Sequence, residues 1–273
     1  MIGTIETKGC TLAYKVEGTG EAAVFIQGVG LHGDGWLPQT ETLKSTLRCI
    51  TFDDRGMGKS QPAGGDITIA QLAADTVAVM DSLGIDKAHL VGHSLGGCVA
   101  LQAALIAKQR VKSLALLCTS ACGADATKLN ARMIWQGLRT RVGTRRMRSN
   151  AFLEIAMPSQ YLASQDREGL VKNLEPFFGH PLCETPAIVM RQLKALKQFD
   201  VTTRLSELGM VPTLVLSAAQ DIIFPPSCGR SLQNGIPDAR YIEIPDAAHG
   251  VTIQCAAKVN HLLHDHFDSA RTI

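Results

Sequence analysis

The sequence predicts an α/β fold: a mostly parallel sheet with helices on both faces, and a helical insertion after the sixth strand. The first observation is that short apolar runs alternate with helical patterns up to about residue 122. Such alternation favours a parallel sheet covered on both sides. The second observation is the segment 124–204, which has no strand-like run and is punctuated by glycine and proline. We therefore expect a core domain formed by residues 1–123 and 205–273, and a helical domain formed by residues 124–204.

Within the core, the predicted elements follow one another in a regular order. The strands are the short apolar or alternating runs at 4–8, 11–17, 22–26, 48–52, 88–91, 113–119, 212–218 and 240–244. The helices are the periodic segments at 36–47, 68–83, from 95 onward and 253–267. Gly9 and Cys10 separate the first two strands, which predicts an antiparallel hairpin. The run at 22–26 is continuously apolar, as expected for a strand in the middle of a parallel sheet.

The stretch Gly92-His93-Ser94-Leu95-Gly96 joins a predicted strand to a predicted helix across a single serine. Such a connection must turn sharply, so the central residue takes a strained backbone conformation and its side chain projects outward. A Cβ atom at either glycine would collide with neighbouring backbone. The pattern is the G-x-S-x-G nucleophile elbow in the strand–turn–helix context that it requires. The alternative is a tight turn whose serine has no chemical role.

On these residues the chain resembles the α/β-hydrolase family, and the resemblance covers nearly the whole length. It implies that Ser94 is the nucleophile and that its partners follow in the order serine, acid, histidine. Asp221 follows a predicted strand and its loop, and His249 follows the last strand. We therefore predict Ser94, Asp221 and His249 as the catalytic residues. A serine hydroxyl becomes nucleophilic only when a base takes its proton, and that base needs an orienting partner.

Other residues compete for these roles. Asp125 comes shortly after the sixth strand, where some relatives carry the acid, and Asp246 shares a loop with His249. His93 leaves the elbow in another direction, and His89 lies inside a strand. Three further histidines lie on the last predicted helix: His261, His264 and His266. The order of the motif favours the assignment made above.

Acyl transfer also needs N–H donors aimed at the developing oxyanion. One is the backbone N–H of Leu95, which follows the nucleophile at a helix start, where amide groups are unpaired. The resemblance implies that the other is the backbone N–H of Val29, in the loop after the third strand. Relatives commonly have His-Gly where this chain has Gln27-Gly28. The bracing of that loop is therefore left open.

Two glycine-containing motifs point to other chemistry. Gly28, Gly30 and Gly33 follow a strand as G-x-G-x-x-G, with Asp53 about twenty residues further on, which is formally a dinucleotide-binding fingerprint. The third glycine of that motif should open a helix, but here a loop with the bulky Trp36 follows. This context argues against a nucleotide cofactor.

Gly58-Lys59-Ser60 resembles the end of a P-loop, but the glycine that the motif requires at position 53 is an aspartate. The stretch 53–60 instead resembles the D-x-R-G-x-G-x-S turn of the family. We interpret this turn as structural and expect Arg55 to brace loops under the active site.

Composition limits the partners. The 273 residues carry a net charge of +2 and are 45% hydrophobic, so bulk charge indicates no nucleic-acid or membrane partner. The sequence shows no signal-peptide pattern and no apolar run long enough to span a membrane. The eight cysteines include no C-x-x-C pair, which indicates free thiols in a reducing compartment. We expect a cytoplasmic protein that needs no cofactor and no metal; a homodimer is compatible with the sequence.

A helical insertion between two halves of one sheet is how this family carries a cap, so residues 124–204 are expected to lie over Ser94 and shape the pocket. The insertion begins with a basic run: Lys128, Arg132, Arg139, Arg141, Arg145, Arg146 and Arg148. Two interpretations are open: a solvated helix face, or an arginine that enters the pocket and binds a substrate carboxylate. The residues predicted to line the pocket are Gly28, His93, Trp135, Met133 and Phe152.

The predicted function is hydrolysis of small carboxylic esters or lactones through a Ser-His-Asp triad and an acyl-enzyme. A small-molecule ester or lactone is the expected partner. The stretches Ile188-Val-Met-Arg-Gln192, Phe199-Asp200 and Ala248-His249-Gly250 resemble enol-lactonase-type esterases. Two alternatives are hydrolysis of a carbon–carbon bond, as in meta-cleavage product hydrolases, and a receptor-like protein that binds a ligand and turns it over slowly.

Overall fold

A computed structural model describes residues 1–127 and 131–271, and a single mixed sheet runs through its centre. The strands are β1 Ile2–Thr7, β2 Cys10–Glu17, β3 Glu21–Ile26, β4 Leu47–Phe52, β5 Ala88–His93, β6 Val111–Leu117, β7 Thr213–Ala218 and β8 Arg240–Ile244. Their order in space is β1-β2-β4-β3-β5-β6-β7-β8. β1 and β2 form an antiparallel hairpin and β2 is antiparallel to β4, whereas the pairs from β4 across to β8 are parallel. The predicted hairpin and the mostly parallel sheet are confirmed.

Helices cover both faces of this sheet. They are α1 Leu37–Leu43, α2 Ile69–Ser82, α3 Leu95–Ile106, α4 Ala131–Arg139, α5 Arg145–Ala156, α6 Ser159–Ala163, α7 Arg167–Phe178, α8 Ala187–Lys197, α9 Pro226–Gly235, α10 Val251–Gln254 and α11 Ala256–Ala270. Alternate residues of a strand point to opposite faces. Val24 and Ile26 of β3 join the apolar cluster that includes α2 and α3, whereas Ala23 and Phe25 join the cluster that includes α1 and α11. The predicted α/β fold is therefore confirmed.

Sheet pairing shortens the first predicted helix. The segment expected to be helical over 36–47 begins as a 3-10 turn at Gly33–Trp36 and continues as α1, which ends at Leu43. Leu47 is the buried first residue of β4 and pairs with Glu21 of β3. A backbone that donates and accepts in the sheet cannot also continue a helix, so the predicted end at 47 is wrong.

The later helices follow the prediction less closely than the strands do. Thr68 caps α2 as expected, because its Oγ1 accepts a hydrogen bond from the backbone N–H of Gln71. The final helix, expected over 253–267, is split at Cys255 into α10 and α11. Helix α9, which starts at Pro226, was not predicted; proline suits the first position of a helix, where its missing N–H is not needed.

Helices α4 to α8 lie between β6 and β7, where the helical insertion was expected, and we call this segment the cap. The stretch from α5 to the loop after α7 has an apolar cluster of its own: Leu153, Met157, Leu162, Leu174, Phe178 and Leu182. Helix α8 packs instead on the core, where Ala195 and Leu196 join the cluster around α2 and α3. This packing holds the last helix of the cap against the core. The domain boundaries at 123/124 and 204/205 stay a prediction.

None of the eight cysteines, all of which lie in the described part of the chain, forms a disulfide, and six of them are buried. Among the described residues, no helix combines the length and the apolar character needed to cross a bilayer.

Candidate active site

The elbow between β5 and α3 has the strained geometry that its sequence predicts. Ser94 has φ 57° and ψ −122°, in a region that L-residues rarely adopt. A Cβ atom on Gly92 would lie 2.2 Å from the carbonyl oxygen of Gly96, and one on Gly96 would lie 2.1 Å from that of Ile26. Only glycine fits at these two positions, because each added atom would meet rigid backbone. The tight packing holds Ser94 at the carboxyl edge of the sheet.

The side chain of Ser94 lies within hydrogen-bond distance of a histidine that is held by a carboxylate. Ser94 Oγ is 2.9 Å from His249 Nε2, and His249 Nδ1 is 2.7 Å from Asp221 Oδ2. An ionised carboxylate only accepts, so Nδ1 carries the proton and Nε2 is free to accept from the serine hydroxyl. The other oxygen of Asp221 accepts from the backbone N–H groups of Ile223 and Phe224. These bonds fix the orientation of the carboxylate.

The competing candidates lie elsewhere. Asp125 accepts a hydrogen bond from the hydroxyl of Ser120 in the 3-10 turn after β6, whereas the carboxylate beside His249 Nδ1 is that of Asp221. His89 is buried in β5 and bonds to Ser113. On α11, His261 and His264 pair with aspartates one turn further along the helix, while His266 is buried against the carbonyl of Leu114.

His93 supports the loop that carries His249. Its Nε2 donates to the backbone carbonyl of His249 over 2.8 Å, and the two rings lie 4.9 Å apart. Burial, and then the charge of the neighbouring His249, lower the pKa of His93 to about 3. The imidazole therefore stays neutral near pH 7. Its Nε2 remains a donor to the loop, and no positive charge builds up beside the proposed base.

The loop after β3 reaches the nucleophile as the resemblance implied. A Cβ atom on Gly28 would lie 3.2 Å from the Cβ of Ser94. The side-chain oxygen of Gln27 accepts from the N–H of Gly28 at 3.3 Å, and that of Gln192 accepts from the N–H of Gly30 at 2.9 Å. The N–H of Val29 lies between these two braced residues. Gln27, which stands where relatives have histidine, thus braces one side of Val29. Gln192 of α8 braces the other side.

A cavity of about 310 Å³ opens between the core loops and the cap beside Ser94. Of the predicted pocket residues, Gly28, His93 and Phe152 line it. The prediction for Trp135 needs correction: this side chain is 60% exposed and does not line the cavity. The side chain of Met133 lies outside the described part of the structure. Most other lining side chains are apolar, among them Ile155, Met157, Leu174, Phe178, Leu182 and Val189.

The basic run at the start of the cap contributes no arginine to the described wall of this cavity. Arg139 pairs with Glu154, Arg145 with Glu184 at 3.3 Å, and Arg146 with Glu168 at 3.1 Å. Lys128 and the side chain of Arg132 lie outside the described residues. For Arg139, Arg145 and Arg146, the arrangement favours the solvated helix face over an arginine that enters the pocket.

The polar side chains of the two glycine-containing motifs form hydrogen bonds within the protein. Asp53, the acidic residue of the formal dinucleotide fingerprint, accepts from the backbone N–H groups of Gly33 and Lys59. Arg55 is buried and forms a bidentate ion pair with Asp75, with both N···O distances 2.6 Å. It also donates to the carbonyl oxygen of Gly64. These contacts agree with the interpretation of the 53–60 turn as a brace.

A second cavity, of about 460 Å³, lies beside this turn and holds no member of the Ser94 site. It shares Phe178 and His180 with the first cavity, so these two residues form a common wall. Within the described residues there is no group of three or more His, Cys, Asp or Glu side chains arranged to hold a metal ion.

The chain is similar to known α/β-hydrolases over most of its length. A family model described as the alpha/beta hydrolase fold matches residues 23–254. A protein of Variovorax paradoxus (strain S110), provisionally named the carbamate hydrolase RutD, is 33% identical over 264 residues. That match covers 93% of this chain and 95% of the relative.

Solved structures are similar over nearly the full length. The enol-lactonase from Burkholderia xenovorans LB400 has a TM-score of 0.81 and 26% identity, with 97% of this chain and 100% of that chain covered. A thermophilic esterase from Thermogutta terrifontis has a TM-score of 0.81 and 25% identity, with 99% of both chains covered.

Proposed function

The chain is a hydrolase of the α/β-hydrolase fold family, and from this premise we propose that it cleaves short carboxylic esters or lactones through an acyl-enzyme on Ser94. The observation that carries the proposal is the continuous set of hydrogen bonds from Ser94 through His249 to Asp221, at the edge of an apolar cavity. A hydroxyl, a base and an orienting carboxylate in this order are the components of nucleophilic acyl transfer.

In the proposed mechanism, His249 Nε2 takes the proton of Ser94 as Oγ attacks the substrate carbonyl carbon. The oxyanion that forms is stabilised by the backbone N–H groups of Val29 and Leu95. Collapse of the tetrahedral intermediate breaks the ester C–O bond, and the leaving oxygen takes the proton from His249. Water then attacks the acyl-enzyme with His249 again as the base, which releases the acid and restores Ser94. Asp221 keeps the imidazole in the required tautomer throughout.

The cavity suggests the size and polarity of the substrate. A volume of about 310 Å³ lies at the small end of ligand pockets, and its lining is mainly aliphatic and aromatic. Phe152, Met157 and Phe178 of the cap line it together with Ser94. We therefore expect short acyl chains and lactones to be hydrolysed in preference to long-chain triglycerides.

The test begins with a labelled fluorophosphonate, which reacts with an activated serine. We expect the wild type to be labelled and Ser94→Ala to remain unlabelled. A panel of short p-nitrophenyl esters, lactones and carbamates then identifies the bond that is cleaved. Dialysis against a strong chelator should leave ester hydrolysis unchanged, because every proposed role belongs to a side chain or backbone group.

The outcomes separate the alternatives. Labelling that survives Ser94→Ala would remove Ser94 as the nucleophile. Labelling without turnover of any ester, lactone or carbamate would favour the receptor-like protein. Turnover confined to vinylogous diketo acids would favour carbon–carbon bond hydrolysis.

A further inference from the structure

The polar side chains of the catalytic cavity fall into two sets. One surrounds the reaction centre and consists of Gln27, His93, Ser94, His249 and Thr252. The other lies on the cap and consists of Thr140, His180, Glu184 and Thr185, which we call the cap wall. The mechanism proposed above assigns no task to the cap wall. Between the two sets the lining is mostly apolar.

His180 presents a hydrogen-bond acceptor without a donor. Its Nδ1 lies 2.9 Å from the carbonyl oxygen of Pro181. A carbonyl oxygen only accepts, so Nδ1 carries the proton and Nε2 of the neutral ring is an acceptor. Nε2 is buried and has no hydrogen-bond partner among the described residues. Buried polar atoms are nearly always paired in folded proteins, and His180 lines the cavity, so its unpaired nitrogen points to a ligand group as the missing partner.

Glu184 adds a carboxylate to the same wall. Its side chain is 52% exposed, and one oxygen lies 3.3 Å from Arg145, which is 70% exposed. Ion pairs between exposed side chains are weak, because water screens them and both side chains lose freedom. Arg145 does not line the cavity. The carboxylate of Glu184 therefore stays available to a group that enters the cavity.

The described wall of the cavity contains no lysine and no arginine. The cap wall thus offers acceptors: an imidazole nitrogen, a carboxylate and two threonine hydroxyls. We propose that this wall selects substrates that carry a hydrogen-bond donor (a hydroxyl, an N–H or an ammonium group) on the part that faces the cap. This inference rests on the proposed hydrolysis at Ser94. It is opposite to the second interpretation of the basic run, in which an arginine binds a substrate carboxylate.

The test uses p-nitrophenyl esters whose acyl chains have the same length and end in methyl, hydroxyl, ammonium or carboxylate. We expect kcat/KM to rise from methyl to hydroxyl by roughly threefold to tenfold, as for one neutral hydrogen bond in a buried site. The ammonium ester should exceed the methyl ester by roughly tenfold to a hundredfold, as for a hydrogen bond to a charged group. The carboxylate ester should be the poorest substrate of the series.

Matched variants assign the effect to single side chains. His180→Phe keeps an aromatic ring but removes the acceptor, so it should abolish the preference for hydroxyl over methyl. His180→Gln keeps an acceptor and should retain part of that preference. Glu184→Gln removes the negative charge and should lower the ammonium preference to the level of the hydroxyl ester. Arg145→Gln, the control outside the wall, should leave the ammonium preference unchanged or raise it.

Fluorophosphonate should still label Ser94 in these variants, because none of them removes a group that contacts Ser94. If no ester of the series is hydrolysed, the proposed function fails. If all four are hydrolysed with equal kcat/KM, or if the carboxylate ester is preferred, the function stands and the donor-selecting wall is wrong. A hydroxyl preference that persists in His180→Phe would also overturn the role of His180.

Discussion

At the scale of single residues, two carboxylates compete for the role of catalytic acid, and their contacts separate them. Asp221 lies 2.7 Å from His249 Nδ1, whereas Asp125 accepts from Ser120. We predict that Asp221→Asn lowers kcat by roughly four orders of magnitude, because the amide no longer selects the productive histidine tautomer. Asp125→Asn, the matched control, should change kcat only slightly. Single-turnover kinetics on both variants measures the difference, and the opposite ranking would show that the acid is misassigned.

Loss of the nucleophile or of the base should lower kcat at least as much as the change at Asp221 does. Ser94→Ala and His249→Ala should each lower kcat by roughly four to six orders of magnitude and to similar extents, because residues of a triad act as a unit. The activity that remains would come from substrate binding and from the N–H groups of the oxyanion site. A His249→Ala variant with near-normal turnover would contradict the role assigned to this histidine.

At the scale of elements, the elbow tolerates no side chain at its glycines. Gly96→Ala would place Cβ at 2.1 Å from the carbonyl oxygen of Ile26, so β3 and α3 would have to separate. We predict a loss of at least about 1–3 kcal/mol in the free energy of unfolding, together with loss of fluorophosphonate labelling. Urea denaturation and labelling measure the two effects.

Gly137 provides the matched control on helix α4, because no described atom lies within 4 Å of the position of its Cβ. Gly137→Ala should be neutral or should stabilise the protein by up to about 1 kcal/mol, since alanine favours the helical state over glycine. Equal destabilisation by both substitutions would show that the cost at Gly96 is not a steric one.

The contact between α8 and the loop after β3 predicts that the cap takes part in catalysis. Gln192 is fully buried on α8, and its oxygen holds the N–H of Gly30, next to Val29. We predict that Gln192→Leu lowers kcat by about tenfold to a hundredfold with little change in KM, because the oxyanion donor is no longer held in place.

Lys194→Ala, an exposed position on the same helix, should leave both constants unchanged. Steady-state kinetics on the two variants checks the prediction. An effect of Gln192→Leu on KM alone would indicate that the residue shapes the substrate cavity and does not position the loop.

At the scale of the whole molecule, buried histidines predict that stability falls as the solution becomes acidic. Burial lowers the pKa of His89 and His266 to about 4 and that of His93 to about 3. The unfolded chain takes up these protons below about pH 6.5, whereas the folded protein does not. Each histidine therefore costs up to about 1.4 kcal/mol per pH unit as the pH falls from about 6.5 towards its folded pKa.

Asp54 has the opposite effect on how the free energy of unfolding depends on pH. Burial, and then the charge of Asp75, raises the pKa of Asp54 to about 8 from an ordinary value of 3.8. The folded protein thus holds a proton that the unfolded chain releases, and this contribution is lost as the pH rises towards about 8. We predict a maximum of the free energy of unfolding near neutral pH, measured by urea denaturation between about pH 5 and 8. Asp54→Asn should remove the decline above neutrality. A flat profile in the wild type would contradict both contributions.

Local patterns were enough to predict much of the fold and the elbow. Strand 22–26 is apolar throughout because both of its faces are buried, and the hairpin is marked by the turn at Gly9. The elbow is marked by two glycines, since the strained turn at Ser94 leaves no room for Cβ. Helix ends were predicted less well, because the end of α1 depends on the pairing of Leu47 with another strand.

Local sequence patterns therefore specify the fold class, the nucleophile motif and the order in which its candidate partners follow. Each of these features is visible within short stretches of neighbouring residues. The contact of Asp221 with His249 joins residues 28 positions apart, and that of Gln192 with Gly30 joins residues 162 positions apart. These two contacts became visible only in the tertiary structure. The same packing pairs Arg139, Arg145 and Arg146 of the cap with glutamates, and no described arginine lines the cavity wall. Such contacts depend on how distant segments pack, and no local pattern of charge or hydrophobicity records that.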